Sequence, residues 1–146
     1  MSGNTITSAD VIITLSVMNL YPTGVQLQGF AADNIYGTEA LSLAETVRGA
    51  DGKLSAGFIY GNINQTFYIM PDSESRDVFD TWAMTSRASV AVFRCNATVI
   101  LPALKRQYKC VNGVLKQWKA LPDAGKILQA SQAIIEWESI TPEAFN

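Results

Sequence analysis

Histidine is absent from all 146 residues of the sequence. That removes the commonest general base and the commonest metal ligand together. It also excludes Ser-His-Asp and Cys-His nucleophile systems. Cysteine is nearly as scarce. Cys95 and Cys110 are the only two, too few for a four-ligand zinc site without histidine. Each is expected to pack as a small hydrophobe inside a strand, since one pair does not make a secreted disulfide framework. Charge is low as well: 16% of residues are charged and 48% are hydrophobic, where about 25% charged is usual. So few charges cannot cover the exterior of a small domain. Part of it is therefore expected to become interface, the alternative being a very compact monomer. No apolar run approaches the ~20 residues of a membrane helix. The opening MSGNTITSAD has no basic segment followed by an apolar one, so no signal peptide is expected. The product is expected to be soluble and made in a reducing cytoplasm.

What is present is alternation, the mark of strands. One domain over residues 1–146 is expected at this length. Asp10 to Asn19 places Val11, Ile13, Leu15 and Val17 on one face. YPTG, Tyr21 to Gly24, reads as a tight turn before a strand starting at Val25 and Leu27. Gly29 marks a bulge or a close backbone approach. Leu41 to Val47 and Leu54 to Tyr60 flank Asp51-Gly52, a hairpin signal. Gln65 to Met70 is a further strand. The period then changes. Val78, Phe79, Trp82 and Ala83 share one helix face, behind a cap at Asp72 or Ser73. Alternation resumes from Ala91 to Leu101. A second hairpin, Lys105 to Val111 and Val114 to Trp118, is expected to turn at Asn112-Gly113. A last strand runs from Ile127 to Glu138, with Ile127, Ala133, Ile135 and Trp137 on its apolar face. The expected fold is mainly β, a sandwich or partly open barrel with one helix packed on its side.

No P-loop, GxGxxG or GxSxG occurs. The carboxylate pair Asp77/Asp80 falls in the opening turns of the helix, where acids suit the macrodipole. Glu136 and Glu138 share a strand face and read as a charged wall, because glycosidase carboxylates flank a cleft from separate elements. No enzyme, cofactor or metal site is expected. Charge is divided into blocks. Residues 1–80 carry a net −6 and residues 81–126 a net +7, which suits head-to-tail contact between copies. Lys105, Arg106, Lys109, Lys116, Lys119 and Lys126, interleaved with Tyr108 and Trp118, also offer a single-strand nucleic-acid surface. The pI of about 5.0 argues against that use.

The order of elements resembles the tail tube proteins of contractile-tailed phages. The resemblance is carried by TVRGADGKLSAGFIYGNINQTFYIMPDSESRDVF, residues 46–79, and by ATVILPALKRQYKCVNGVLKQWKALPDAGKILQASQAIIEWESI, residues 97–140. It implies a β-sandwich subunit of hexameric rings, stacked into a hollow tube in the virion tail after assembly in the host cytoplasm. The implied partners are further copies of the chain, a tape-measure protein, a sheath protein if the tail is contractile, and tail terminator and baseplate proteins. Genome DNA would pass through the lumen without specific binding. Glu136, Glu138, Gln132 and Glu45 are then the candidates for the lumen wall. Arg48, Gly49, Asp51, Gly52 and Lys53 are candidates for inter-ring contact through the hairpin, and Lys105, Arg106 and Lys109 for contact between subunits. The same fold serves type VI secretion and pyocin tubes, so a secretion tube is one alternative. A monomeric β-barrel binding a small ligand or single-stranded nucleic acid is another.

Overall fold

Among the described residues the chain forms ten strands: β1 (Ile12–Val17), β2 (Tyr21–Leu27), β3 (Tyr36–Thr38), β4 (Ala44–Arg48), β5 (Leu54–Phe58), β6 (Ile63–Ile69), β7 (Arg94–Leu101), β8 (Arg106–Trp118), β9 (Ser131–Trp137) and β10 (Ser139–Ala144). Helix α1 (Arg76–Ser89) precedes β7, and a single 3-10 turn, Pro102–Leu104, precedes β8. The structure, a computed structural model, describes residues 11–30, 35–58, 61, 63–125 and 127–144. The N-terminal decapeptide, Tyr60 and Lys126, all part of the sequence reading, lie outside the described residues.

Eight strands join one antiparallel sheet in the order β2-β1-β7-β8-β9-β6-β3, with β10 also on β8. Strand β8 changes partners midway. Its first half lies between β7 and β10, from Arg106 opposite Ala144 to Val111 opposite Ser139. Its second half pairs with β9, from Val114 opposite Glu136 to Trp118 opposite Ala133. The sheet therefore divides into two layers that share β8, and the core lies between them. Ile13, Leu15, Val17, Cys95 and Val99 come from one layer, and Phe67, Ala133, Ile135 and Trp137 from the other; all are buried. The mainly-β sandwich with one helix is thus the observed fold.

The bend itself sits at Asn112-Gly113, where the sequence suggested a hairpin turn. No turn forms there, because β7 pairs across the dipeptide with a register shift. Asn112 takes a left-handed φ of 53°, as in a β-bulge. Its backbone N–H donates to Asn96 Oδ1 at 2.9 Å, and its Nδ2 donates to Glu138 Oε2 at 2.8 Å. Gly113 is required for space: a Cβ would stand 2.4 Å from the Trp137 ring. The YPTG reading is corrected in the same way. Tyr21 to Gly24 belong to β2, and the reversal occurs earlier, at Asn19 with φ 70°. Proline is tolerated because β2 is an edge strand. Gly29 does mark a close approach, since a Cβ there would meet Ser73 at 2.5 Å.

Helix α1 starts later than its predicted cap. Ser75 Oγ accepts the Gln28 N–H at 2.7 Å, while Ser73 Oγ donates to the Gln28 carbonyl. Both serines therefore tie the helix entry to the end of β2. Val78, Phe79 and Trp82 are buried as the spacing predicts. The predicted last strand is two strands, separated at Glu138, and it begins at Ser131. Ile127 is 70% exposed in the loop before it, not on the core face.

Cys95 and Cys110 are free thiols on adjacent strands, both buried. Burial, with the neighbouring Cys110 second, pushes the Cys95 thiol from 9.0 up to about 12. Burial pushes Cys110 up to about 11. A thiol whose folded pKa is raised stabilises the fold fully below pH 9 and loses that contribution as pH rises towards the folded value. Both thiols should therefore stay unreactive to an aromatic disulfide reagent at pH 8 and react together on unfolding. Between pH 9 and 11 the wild type should lose stability more steeply than C95A/C110A; equal slopes would contradict the burial.

Candidate assembly surfaces

The β4–β5 hairpin is the first surface. It forms a separate two-stranded sheet in which every residue is exposed. Its register places Ala44 opposite Phe58, Thr46 opposite Ala56 and Arg48 opposite Leu54. One face thus gathers Ala44, Ala56, Leu54 and Phe58, while Glu45 and Val47 lie on the other. The tip is built by the residues named from sequence. Arg48 Nη1 donates to the Gly52 carbonyl at 2.7 Å, and the Lys53 N–H donates to Asp51 Oδ1 at 3.0 Å. The Gly49 N–H donates to the Lys53 carbonyl at 2.8 Å. At its base lies a groove of about 440 Å³, whose walls include Leu41, Leu43, Phe58, Ile140 and the carboxylate residues Glu136 and Glu138.

The four acidic-wall candidates are not one cluster. Gln132 and Glu136 do share the outward face of β9, since Ser131, Ala133, Ile135 and Trp137 are buried between them. Glu136 forms an ion pair with Lys116 at 3.4 Å, and Glu138 accepts from Asn112 at the bend. Glu45 stands apart, on the hairpin opposite Gly57. The basic candidates also separate. Lys105 and Arg106 stand at the turn into β8, whereas Lys109 forms an ion pair with Glu143 at 3.5 Å in the same chain. These exposed pairs contribute little stability. Their effect is to cancel charge locally.

Sequence reasoning passed over the seat of α1. Arg76 Nη1 donates to Ser131 Oγ at 2.9 Å and Nη2 to the Ala120 carbonyl at 2.6 Å, and its guanidinium lies 5.5 Å over the Trp118 ring. Phe79 stacks on Trp118 at a centroid distance of 5.1 Å, and the Trp118 Nε1 donates to Asp80 Oδ1 at 2.7 Å. Asp77 lies in the first turn of α1, whereas Asp80, beyond it, serves as the acceptor for Trp118. Only an unusual Arg-aromatic content on an amphipathic helix could have signalled this. Among the described residues no three His, Cys, Asp or Glu side chains group as a metal site.

The sequence profile of the tail fiber protein gp32 family matches residues 4–141. Solved structures share the fold at low identity. A chain of the anti-feeding prophage baseplate, 6-fold symmetrised, aligns with a TM-score of 0.60 at 11% identity, over 99% of this chain and 98% of that one. A chain in the sheath/tube terminator of the PVC extracellular contractile injection system, extended state, aligns at 0.57 and 12%, over 99% and 100%. One in the PVC sheath-tube complex aligns at 0.56 and 13%, over 96% and 92%. The tail-tube resemblance of the sequence is thus borne out in the fold. No curated protein matches the chain.

Proposed function

The chain belongs to the tail fiber protein gp32 family, and from that premise we propose that it is a structural, non-enzymatic subunit of a phage tail tube. Copies form hexameric rings that stack into a tube, whose channel conducts DNA during ejection. The observation that carries this is the exposed β4–β5 hairpin. A lone two-stranded hairpin is marginal in water at best, and this one displays Leu54 and Phe58, the latter 70% exposed. A neighbouring copy covers it in the assembled state. The shared fold with chains of tube, terminator and baseplate assemblies, over nearly the whole length of each, supports the same reading. In that setting the partners are a tape-measure protein, a sheath if the tail contracts, and terminator and baseplate proteins.

Negative-stain microscopy and sedimentation of purified protein test this directly. Rings and tubes are expected at high concentration; a monomer throughout would sink the proposal. Deleting Gly49 to Lys53 removes the hairpin tip, whose bonds among the described residues lie within Arg48 to Lys53. Tube growth should stop while the melting temperature changes little, and tubes of normal length from this deletion would refute the hairpin's role. A second reading, a terminator or baseplate ring, is favoured by the likeness to chains in those assemblies. It predicts closed single rings that do not elongate.

A further inference from the structure

We propose that the turn between β7 and β8 is a plug and that the groove at the base of the β4–β5 hairpin is its socket. Each copy seats Leu104, Lys105 and Arg106 in the groove of the next. This inference rests on the tube reading above and names one contact through which copies join. The plug has a rigid backbone. Pro102 opens the 3-10 turn with its φ fixed, and the Lys105 N–H closes it on the Pro102 carbonyl at 3.1 Å. Little backbone freedom is left to lose on docking. Leu104 is 47% exposed at the end of this turn. Lys105 and Arg106 beside it are exposed too, and among the described residues neither forms an ion pair.

The socket has the opposite charge. Buried Ile63 and Trp137 back it, exposed Leu41 and Leu43 wall it, and Glu136 and Glu138 are the charged residues of its lining. Its 440 Å³ admits a leucine side chain together with the apolar stems of two cations. Lys116 offsets Glu136 at 3.4 Å, whereas Glu138 accepts from the neutral Asn112 amide, so a negative charge is left over. An apolar groove with a surplus carboxylate selects an apolar knob with surplus cations. The hairpin tip is a poorer occupant, because Arg48 already donates to Gly52 and Asp51 adds a carboxylate beside Lys53. Position calls for a second copy. The β8–β10 ladder runs from Val111 opposite Ser139, at the groove, to Arg106 opposite Ala144, at the turn. That is roughly 17 Å of strand, so no chain fills its own socket. Plug and socket are different patches, and such a contact is heterologous: each copy gives one and receives one, and the series closes as a ring or continues as a polymer. Glu136 and Glu138 then serve a joint, where the sequence reading placed them on a lumen wall.

Exchanging charge between the two halves tests this. Lys105→Glu/Arg106→Glu should raise the concentration needed for tubes by roughly a hundredfold or more, as like charges then meet in the socket. Glu136→Lys/Glu138→Lys should do the same from the other side. An equimolar mixture of the two variants should assemble again, because every plug then finds a socket of opposite sign. Assembly of either variant alone at the wild-type concentration would overturn the proposal. So would failure of the mixture when both variants melt at the wild-type temperature. Cross-linking gives a readout that leaves these charges in place. The native cysteines are buried, so Leu43→Cys/Leu104→Cys supplies the reactive pair. In tubes, mild oxidation should join the double variant into a ladder of multimers, while each single variant stays monomeric on a denaturing gel. Tubes of the double variant that yield no ladder overturn the contact, whatever the charge variants do. Absence of tubes from the wild type sinks the tube reading and this inference with it; wild-type tubes without the ladder sink this inference alone.

Discussion

Replacing Gly113 with valine should lower stability by about 3 kcal/mol or more, enough to leave little soluble protein. The added Cβ would lie 2.4 Å from Trp137 Cε3 and 3.0 Å from Ile135 Cγ2. Neither neighbour can retreat. Trp137 is 2% exposed, and its Nε1 is held by Gln65 Oε1 at 2.9 Å. The strain falls on the bend that both layers share, so local relaxation would misalign β7, β9 and β10 together. Denaturant titration of Gly113→Ala, Trp137→Leu and the double variant separates this from a general loss of core. The double should be less destabilised than the sum by about 1 kcal/mol or more, as contacting sites are. Strict additivity, or an unchanged midpoint for Gly113→Val, would show that the ring does not occupy the glycine's space.

Phe79→Ala carries the second large effect, a loss of about 3–5 kcal/mol. Phe79 is fully buried, 6.3 Å from Trp82 and 5.1 Å from Trp118. Its removal opens a cavity beneath α1 and loosens the ring that Arg76 covers. The Arg76 bonds to Ser131 and Ala120 should then weaken as well, because they span the same seam. Near-ultraviolet circular dichroism should lose its tryptophan signal before far-ultraviolet strand signal is lost on heating. Simultaneous loss with an unchanged midpoint would show that the helix seat contributes nothing of its own.

Period-2 alternation made the strands legible wherever one face was buried. Ile13, Leu15 and Val17, or Ala133, Ile135 and Trp137, announce their face without help from elsewhere. The errors came from turn chemistry. Asn112-Gly113 is a strong hairpin dipeptide locally, yet β7 on one side and Trp137 on the other hold it as a bulge within β8 instead of a turn. Pro22 read as a turn residue because nothing nearby says that β2 is an edge. The hairpin tip was found because its bonds are local, within Arg48 to Lys53. The pairings of Lys109 with Glu143 and Lys116 with Glu136 were not, since each depends on which strands become neighbours. Charge blocks along a chain do not predict charge on a face.

The β1–β7 ladder joins residues far apart in the chain, from Val17 opposite Cys95 to Ile12 opposite Ile100, with Ser16 and Asn96 80 positions apart. Strand β1 therefore waits on the ribosome for β7, roughly 4–18 s at ordinary rates of synthesis. Until β8 and then β10 follow, one of the layer's two outer strands does not exist. A truncated chain thus carries β1 and β2 without the strands that complete their layer. Synthesis order therefore leaves the apolar side chains Ile13, Leu15 and Val17 of β1 uncovered until the later strands of the core arrive.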